Sequence, residues 1–431
     1  MSMVRPLSYA GRFLVMGFLL TWFVASYALG RLALLAMRDG QERRKAVAAL
    51  RGRILRRAMT RLGATFVKLG QVLSTRPDLL EPETIAELRK LQDRLPAFPM
   101  AQVRGIVAEE LGAPIEERFA EFDETPVAAA SVAQVHRGRL PDGREVAIKV
   151  LRPDVRARVE RDAAVLGFFA RVAAWHPDVR LSDPVGHLRE LITGILEQTD
   201  LRLERANYDR FRTHFADTSG VRFPEVYAEL SATRVMTMEF LRGHKLDALP
   251  PGDHGKVALC LQRAFLKMCF EDGFVHADMH PGNLLLLDGG DLAIFDVGLV
   301  KHLPGDILVQ SVDFTRCLVM GTAQDFVAHI RRFHTYRTEV DWAKLEKDLD
   351  AFLVRFRKQN VAELELGELL SEILALGRRY RVRPVADMAL VMVAMVTAEG
   401  IGKQLNPHAN LFEDTAAFLM PLLAKQAASA A

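Results

Sequence analysis

Three acid and amide side chains have the types and spacing that phosphate chemistry needs. Asp278 stands in the run Val275-His276-Ala277-Asp278-Met279-His280-Pro281-Gly282-Asn283, five residues before Asn283, and thirteen residues beyond that Asp296 opens Asp296-Val297-Gly298. Transfer of a phosphoryl group asks a protein mostly for positioned charge. Asp278 suits a group that accepts or orients the proton of a nucleophile. Asn283 and Asp296 offer hard oxygen atoms, the ligands Mg²⁺ takes beside phosphates. Upstream, Val146-Ala147-Ile148-Lys149 supplies a strand lysine able to hold α- and β-phosphates. Each piece alone is weak. The strand by itself reads as an ordinary one with a solvated lysine, and His276, Asp278 and His280 at i, i+2, i+4 on a loop make a poor metal triad. Order and spacing together carry the reading.

That order and spacing are those of a protein-kinase catalytic loop and metal loop. Three further segments resemble the UbiB (AarF-domain) family of atypical protein-kinase-like ATPases. Phe66-Val67-Lys68-Leu69-Gly70-Gln71, followed by Ser74-Thr75-Arg76-Pro77-Asp78, is similar to that family's K-x-G-Q signature. Ala128-Ala129-Ala130-Ser131-Val132-Ala133-Gln134 resembles its alanine-rich loop, where ordinary kinases have glycines. Glu204-Arg205-Ala206-Asn207 resembles the stretch whose glutamate pairs with the strand lysine. The likeness covers roughly residues 60–410.

The resemblance implies ATP (or ADP) and Mg²⁺ as cofactors. Lys149 and Glu204 would align the phosphates, Asp278, Lys68 and Gln71 would serve catalysis, and Asn283 and Asp296 would hold the metal. Residues 128–132 would cover the nucleotide, and Met238-Glu239-Phe240-Leu241 looks like the hinge whose backbone reads adenine. Some of this has independent physical content. Lys68 and Gln71 at i, i+3 share one helix face. Alanines restrict positive φ and add methyl groups where glycines let N–H groups wrap phosphates, so nucleotide is held differently from an ordinary kinase. In the family this accompanies suppressed protein-kinase activity. The chain departs from the pattern twice. Gln198 stands at the glutamate of the E-x-D motif, with Glu197 one residue out of register and Asp200 at its aspartate. The metal loop reads Asp-Val-Gly, which keeps the ligand and loses an aromatic packing element.

The elements that must position these residues follow from pattern. Helices over 63–99 break at Arg76-Pro77 and Glu81-Pro82, and 101–122 continues helically. Short β-rich runs at 131–139 and 145–151 flank Pro141-Asp142-Gly143, a hairpin signal. Helical segments at 154–175 and 184–216 precede strand-like runs at 221–227 and 234–240. After Pro250-Pro251-Gly252 the chain is mainly helical, with short strands near 284–287 and 292–295; the apolar run 388–398, flanked by Asp387 and Glu399, reads as a core helix. This is an α+β, bilobal kinase-like plan. The expected domains are a membrane-anchoring head (1–62), a K-x-G-Q helical extension (63–124), an N-lobe with a helical insert (125–245) and a helical C-lobe (246–431).

The head is distinct in composition. Residues 13–30 carry no charge, and 1–62 hold twelve Lys/Arg against two acids, a net +10, whereas the remainder is −7. Eighteen helical residues span about 27 Å, near the thickness of a bilayer's hydrocarbon. A membrane span is preferred over a deeply inserted monotopic helix, a core helix or a signal peptide with its poor cleavage site near Ser26 and Ala28. The basic residues after it leave the body cytoplasmic, on a bacterial inner membrane or the mitochondrial equivalent. Nothing reads as a nucleic-acid surface. Cys260, Cys269 and Cys317 are too few and too far apart for a disulfide framework or a zinc site.

The expected partners are therefore membrane lipids and, through the resemblance, an isoprenoid quinone precursor or quinone-pathway enzymes, with a homodimer left open. The leading reading is an ATP-dependent enzyme supporting ubiquinone biosynthesis. A non-hydrolysing, nucleotide-gated scaffold is the alternative. A small-molecule kinase of the aminoglycoside or choline type fits the catalytic loop but lacks the segments at 66–71 and 128–136.

Overall fold

Alternation along one strand organises the first half of the molecule. β4 (Glu145–Leu151) pairs antiparallel with β3 (Ala133–Arg139) in the computed structural model. Gly143, in the turn between them, has a φ of +90°, a region that penalises a Cβ, so the Pro-Asp-Gly turn closes the hairpin as expected. Around this pair lies a six-stranded sheet in the order β1-β3-β4-β7-β6, with β2 also on β3. Here β1 is Glu121–Phe122, β2 Ala128–Ala129, β6 Val226–Tyr227 and β7 Val235–Glu239. Side chains alternate across a strand. Val146, Ile148 and Val150 are wholly buried on one face, clustered with Val103, Ile106 and Val107 of α5 (Met100–Leu111). Lys149 therefore belongs to the opposite face.

The residues described are 9–34, 40–74, 80–91, 96–175, 184–246, 249, 254–319, 321–336, 339–357, 366–406, 418 and 421. They fall into two compact units, Met1–Arg210 with Pro224–Phe240, and Phe211–Phe223 with Leu241–Ala431. The first unit holds the sheet above and the helices α1 (Tyr9–Ala33), α2 (Gly40–Leu62), α3 (Ala64–Ser74), α4 (Pro82–Leu88), α5, α6 (Ile115–Arg118), α7 (Val155–Ala173) and α8 (Pro184–Glu197). A second apolar cluster joins most of these helices through Met16, Met59, Leu69, Leu88, Val159 and Ile195. α9 (Leu201–His214) begins in this unit.

The second unit contains a four-stranded sheet in the order β5-β11-β10-β8, formed by Val221–Arg222, Leu292–Ile294, Leu284–Leu287 and Gly243–Lys245. Two further pairs join β9 (Phe274–His276) to β12 (Val300–His302) and β13 (His334–Tyr336) to β14 (Val382–Pro384). Its helices are α10 (Gly255–Phe270), α11 (Ile307–Val319), α12 (Ala323–Phe333), α13 (Trp342–Phe356), α14 (Leu366–Arg379) and α15 (Ala386–Leu405). α15 packs on α10, and Met388, Val391 and Met392 are buried, so the apolar run 388–398 is interior.

Three expectations are corrected. The helix expected over 184–216 is two helices, because the side chains of the intervening turn satisfy its backbone. Thr199 Oγ1 donates to the Leu196 carbonyl at 2.6 Å, and Asp200 Oδ1 accepts the Arg202 N–H at 3.1 Å. The run 221–227 is two strands, split at Pro224, whose missing N–H cannot serve a ladder; β5 pairs with β11 and β6 with β7. Helix over 101–122 stops at Arg118, and α5 already ends on Gly112 at a φ of +68°. Thr75–Asp78 of the signature and Pro250-Pro251-Gly252 lie outside the described residues. The cysteines are free, and burial pushes the Cys269 thiol up to about 12, which removes it as a nucleophile.

Candidate functional site

Within the first unit Lys149 meets Glu204. The Lys149 Nζ lies 2.8 Å from both carboxylate oxygens of Glu204, and the side chains are only 12% and 4% exposed. The helix explains why the carboxylate is there. Leu201, Glu204, Tyr208 and Phe211 recur at i, i+3, i+7 and i+10 and are all buried, so Glu204 sits on the apolar stripe of α9. A carboxylate on such a stripe is stable only beside a cation. The fork-like contact fixes the ammonium at one place on the sheet face.

The alanine-rich segment is a tight turn beside that strand. Ala128 and Ala129 pair with Val135 and Gln134, and the Ala130 N–H donates to the Ala133 carbonyl at 2.8 Å. Ser131 is 1% exposed and Val132 half-buried. Arg152 holds the turn from outside. Its N–H donates to the Val132 carbonyl and its Nε to the Ala130 carbonyl, each at 2.8 Å, while Nη2 reaches the Pro96 carbonyl at 2.8 Å. The loop's own hydrogen bonds thus consume the Ala130 N–H, a group a glycine loop would aim at phosphate. Sequence reasoning missed Arg152, which carries no motif signal beyond following the lysine strand. Arg152→Ala removes charge-assisted bonds of about 1–2 kcal/mol. The dissociation constant for nucleotide is expected to rise ~5- to 30-fold by calorimetric titration; an unchanged affinity would contradict the bracing role.

At the end of β7, the Glu239 N–H donates to the Glu225 carbonyl at 2.8 Å and the Phe240 N–H to the Glu145 carbonyl at 3.2 Å. Among the described residues the Leu241 N–H donates to no backbone carbonyl, and the chain passes from the first unit to the second after Phe240.

Within the second unit one buried histidine ties two loops together. His276 Nδ1 accepts the Asp278 N–H at 3.2 Å, so its proton sits on Nε2, which donates to the Phe295 carbonyl at 3.0 Å. The Phe295 N–H in turn donates to the Asn283 carbonyl at 2.8 Å, and Val300 pairs with His276 across β9–β12. Asn283 is 7% exposed, and its Nδ2 donates to the Asp278 carbonyl at 3.0 Å, which leaves Oδ1 as the amide's acceptor. Asp296 has a φ of +52°, a left-handed conformation that disfavours most side chains and tolerates Asp and Asn. Val297 is wholly buried, so the aliphatic side chain fills the position after the aspartate.

Burial holds the His276 imidazole below its usual pKa, and burial does the same to His136 and His329. A depressed folded-state value means that stability from these groups is present above the unfolded value near ~6.5 and is lost as pH falls toward the folded value. Melting temperature is expected to drop between about pH 7 and about pH 5. The drop should be smaller in His276→Gln than in the wild type. A pH response identical in the two would contradict the neutral clamp.

The K-x-G-Q residues lie on α3 in the first unit. Lys68 is 5% exposed, and Gln71 is half-buried with its Oε1 buried and without a hydrogen-bond partner among the described residues. Gln198 is buried, and its Nε2 likewise lacks a hydrogen-bond partner. Glu197 is exposed, so the segment has not slipped by one residue to bury that carboxylate. Asp200 is bound by Arg202 at 2.9 and 2.6 Å, and this hydrogen-bonded guanidinium holds its carboxyl below the usual range.

Among the described residues no cluster of three or more His, Cys, Asp or Glu could hold a metal ion. Mg²⁺ does not need one, because it keeps waters and phosphate oxygens and takes one or two protein ligands. Asn283 Oδ1 and the Asp296 carboxylate are such a pair, so the donor set fits. Lys149, fixed by Glu204, is a cation of the kind that would neutralise phosphate oxygens.

An aligned strand lysine, a catalytic-loop aspartate and an asparagine–aspartate pair define an atypical protein-kinase-like chain. Residues 90–326 match the ABC1 atypical kinase-like domain and residues 349–410 the UbiB helical domain. The chain belongs to the ABC1 atypical kinase-like family. It is 32% identical over 396 residues to an Aeromonas salmonicida protein named probable protein kinase UbiB, covering 86% of this chain and 70% of that one. A Vibrio cholerae protein of the same name is 32% identical over 387 residues, with the same coverage. An uncharacterized Synechocystis protein is 32% identical over 376 residues, covering 86% and 64%. Among solved structures, the Rv3197–erythromycin complex from Mycobacterium tuberculosis aligns with a TM-score of 0.53 over 80% of this chain and 90% of that one. At 23% identity that likeness speaks for the fold alone.

Proposed function

We propose that the chain is a membrane-associated, Mg²⁺-dependent ATPase of the atypical kinase class that supports ubiquinone biosynthesis by handling a polyprenylated precursor or pathway enzymes. The observation that carries the nucleotide part is the buried Lys149–Glu204 pair. The pair as a whole has no structural need that two apolar side chains would not meet, and the alignment of its lysine suits phosphate. Lys149 neutralises phosphate oxygens. Asn283 and Asp296 hold Mg²⁺, which supplies charge stabilisation for the transferring phosphoryl group. Asp278, at the end of the loop clamped by His276, orients the attacking hydroxyl or water. The quinone part rests on kinship with proteins named UbiB.

The scaffold reading, in which nucleotide binds and is not hydrolysed, is favoured by Gln198 and by the loop whose Ala130 N–H is already used. One experiment separates the two. Purified full-length protein with ATP, Mg²⁺ and lipid vesicles is expected to release phosphate, faster with vesicles than without. Nucleotide-induced thermal stabilisation without phosphate release would select the scaffold.

A further inference from the structure

Between Phe13 and Gly30 the N-terminal helix α1 carries no charge on any side, yet the first unit uses it on one side only. Met16 and Leu19 are buried, and Gly30 meets Leu50 of α2 so closely that an added Cβ would lie 2.5 Å from its side chain. These positions continue the i, i+3, i+7 stripe of a single helix face. The other face is open: Leu14, Phe18, Leu29 and Leu32 are each more than 60% exposed.

Two neighbours lie along α1. The Arg61 guanidinium sits over the Trp22 ring at 4.9 Å, so α2 runs back along α1, with Leu50 near Gly30 and Arg61 near Trp22. At the other end Phe13 packs on Phe168 and Phe169 of α7, with ring centroids 5.4 and 5.1 Å apart. The last turns of α7 continue the apolar surface through Phe168 and Val172, and Trp175, just past the helix end, extends it at 83% exposed. Among the described residues, nine of the fourteen large hydrophobic side chains that stand exposed belong to α1 and this end of α7. They form one patch, too large and too concentrated for a surface meant to face water.

Charge borders that patch. α2 carries eight Lys/Arg and one acid. Arg43, Leu50, Arg57 and Arg61 fall on one helical stripe, and Leu50 and Arg61 are the residues that touch α1. Arg43, Arg44, Arg53 and Arg57 are exposed and have no acidic partner among the described residues. A helix hairpin with one arm this basic cannot cross hydrocarbon, where each charge is strongly disfavoured. An apolar helix face flanked by cations suits an interface instead, with guanidinium groups at the level of lipid phosphates.

We infer that α1 lies in the plane of the membrane, held against α2 and α7, so that the exposed faces of α1 and the Trp175 end of α7 insert together into one leaflet of an anionic bilayer. This rests on the membrane association proposed above and replaces the spanning anchor expected from the sequence. The chain then enters and leaves the membrane on the same side, and no part of it is translocated.

The test uses the full chain with an N-terminal epitope tag, in membrane vesicles of known orientation. Protease added from the side of the catalytic body is expected to remove the tag. A tag protected from that side and cut from the other would establish a span and overturn the inference while leaving membrane association intact. A chain found wholly in the soluble fraction would overturn both. A second arm compares purified protein on neutral phosphatidylcholine vesicles and on vesicles containing phosphatidylglycerol. Binding is expected to be at least tenfold tighter to the anionic vesicles and to lose that advantage in the double variant Arg53→Gln/Arg57→Gln. Nucleotide-induced stabilisation, which those residues do not serve, should be unchanged. Equal binding to both vesicles, or a lipid-free dimer that buries Trp175 and ignores vesicles, would contradict the inference.

Discussion

Replacing Asp296 by asparagine is expected to lower Mg²⁺-dependent phosphate release at least about 10²-fold while leaving the fold intact. The substitution is isosteric, and asparagine tolerates the φ of +52° that this position requires. What it removes is one negative charge, which on the proposed reading would face Mg²⁺. Loss of one well-placed electrostatic contact to a transferring group typically costs about 3–4 kcal/mol of transition-state stabilisation. Affinity for ATP should fall in Mg²⁺ and change little in EDTA, because the side chain acts through the cation. Phosphate release, calorimetric titration with and without Mg²⁺, and a thermal melt check the three parts separately. An equally active variant would remove Asp296 from the mechanism.

Glu204→Ala is expected to destabilise the protein by about 3 kcal/mol or more, because it leaves the Lys149 ammonium buried without its partner. Lys149→Met should cost at least as much, because it takes the cation away from the more deeply buried Glu204 carboxylate, and should be equally damaging to nucleotide binding. The informative variant is the double one, Lys149→Met/Glu204→Leu. Replacing both members of a buried pair by apolar groups is often close to neutral, so the melting temperature should return most of the way to the wild-type value. Nucleotide should still fail to stabilise the double variant. If nucleotide stabilised it as it does the wild type, the pair would be architectural only.

The sequence made the grouping of Asp278, Asn283 and Asp296 legible, because their spacing leaves room only for the short strand pair β10–β11 between the loop that carries the first two and the turn that carries the third. The hairpin around Lys149 was equally plain, since Pro-Asp-Gly between β-branched runs has few alternatives. The break at Gln198-Thr199-Asp200 was not read, because helical periodicity continues through it. Side-chain bonds to the backbone from Thr199 and Asp200, and a bond from the Leu201 N–H to the distant Thr233 carbonyl, stop the helix there. Arg152 and the tautomer of His276 were also invisible, since both depend on backbone carbonyls distant in sequence, Ala130 and Pro96 for the first and Phe295 for the second. The head shows a different limit. Its composition marked it as apolar enough for a membrane, but composition says nothing of the basic helix packed along its length.

The central claim, that metal-bound nucleotide on this chain supports quinone synthesis, is tested most directly by measuring cellular ubiquinone. The measurement compares a strain lacking the gene with the same strain given back the wild-type or the Asp296→Asn protein at equal expression. Ubiquinone is expected to fall in the deletion strain and to recover with the wild type but not with the variant. Recovery with both proteins would contradict a role for metal-bound nucleotide, and an unchanged ubiquinone level in the deletion strain would contradict the pathway itself.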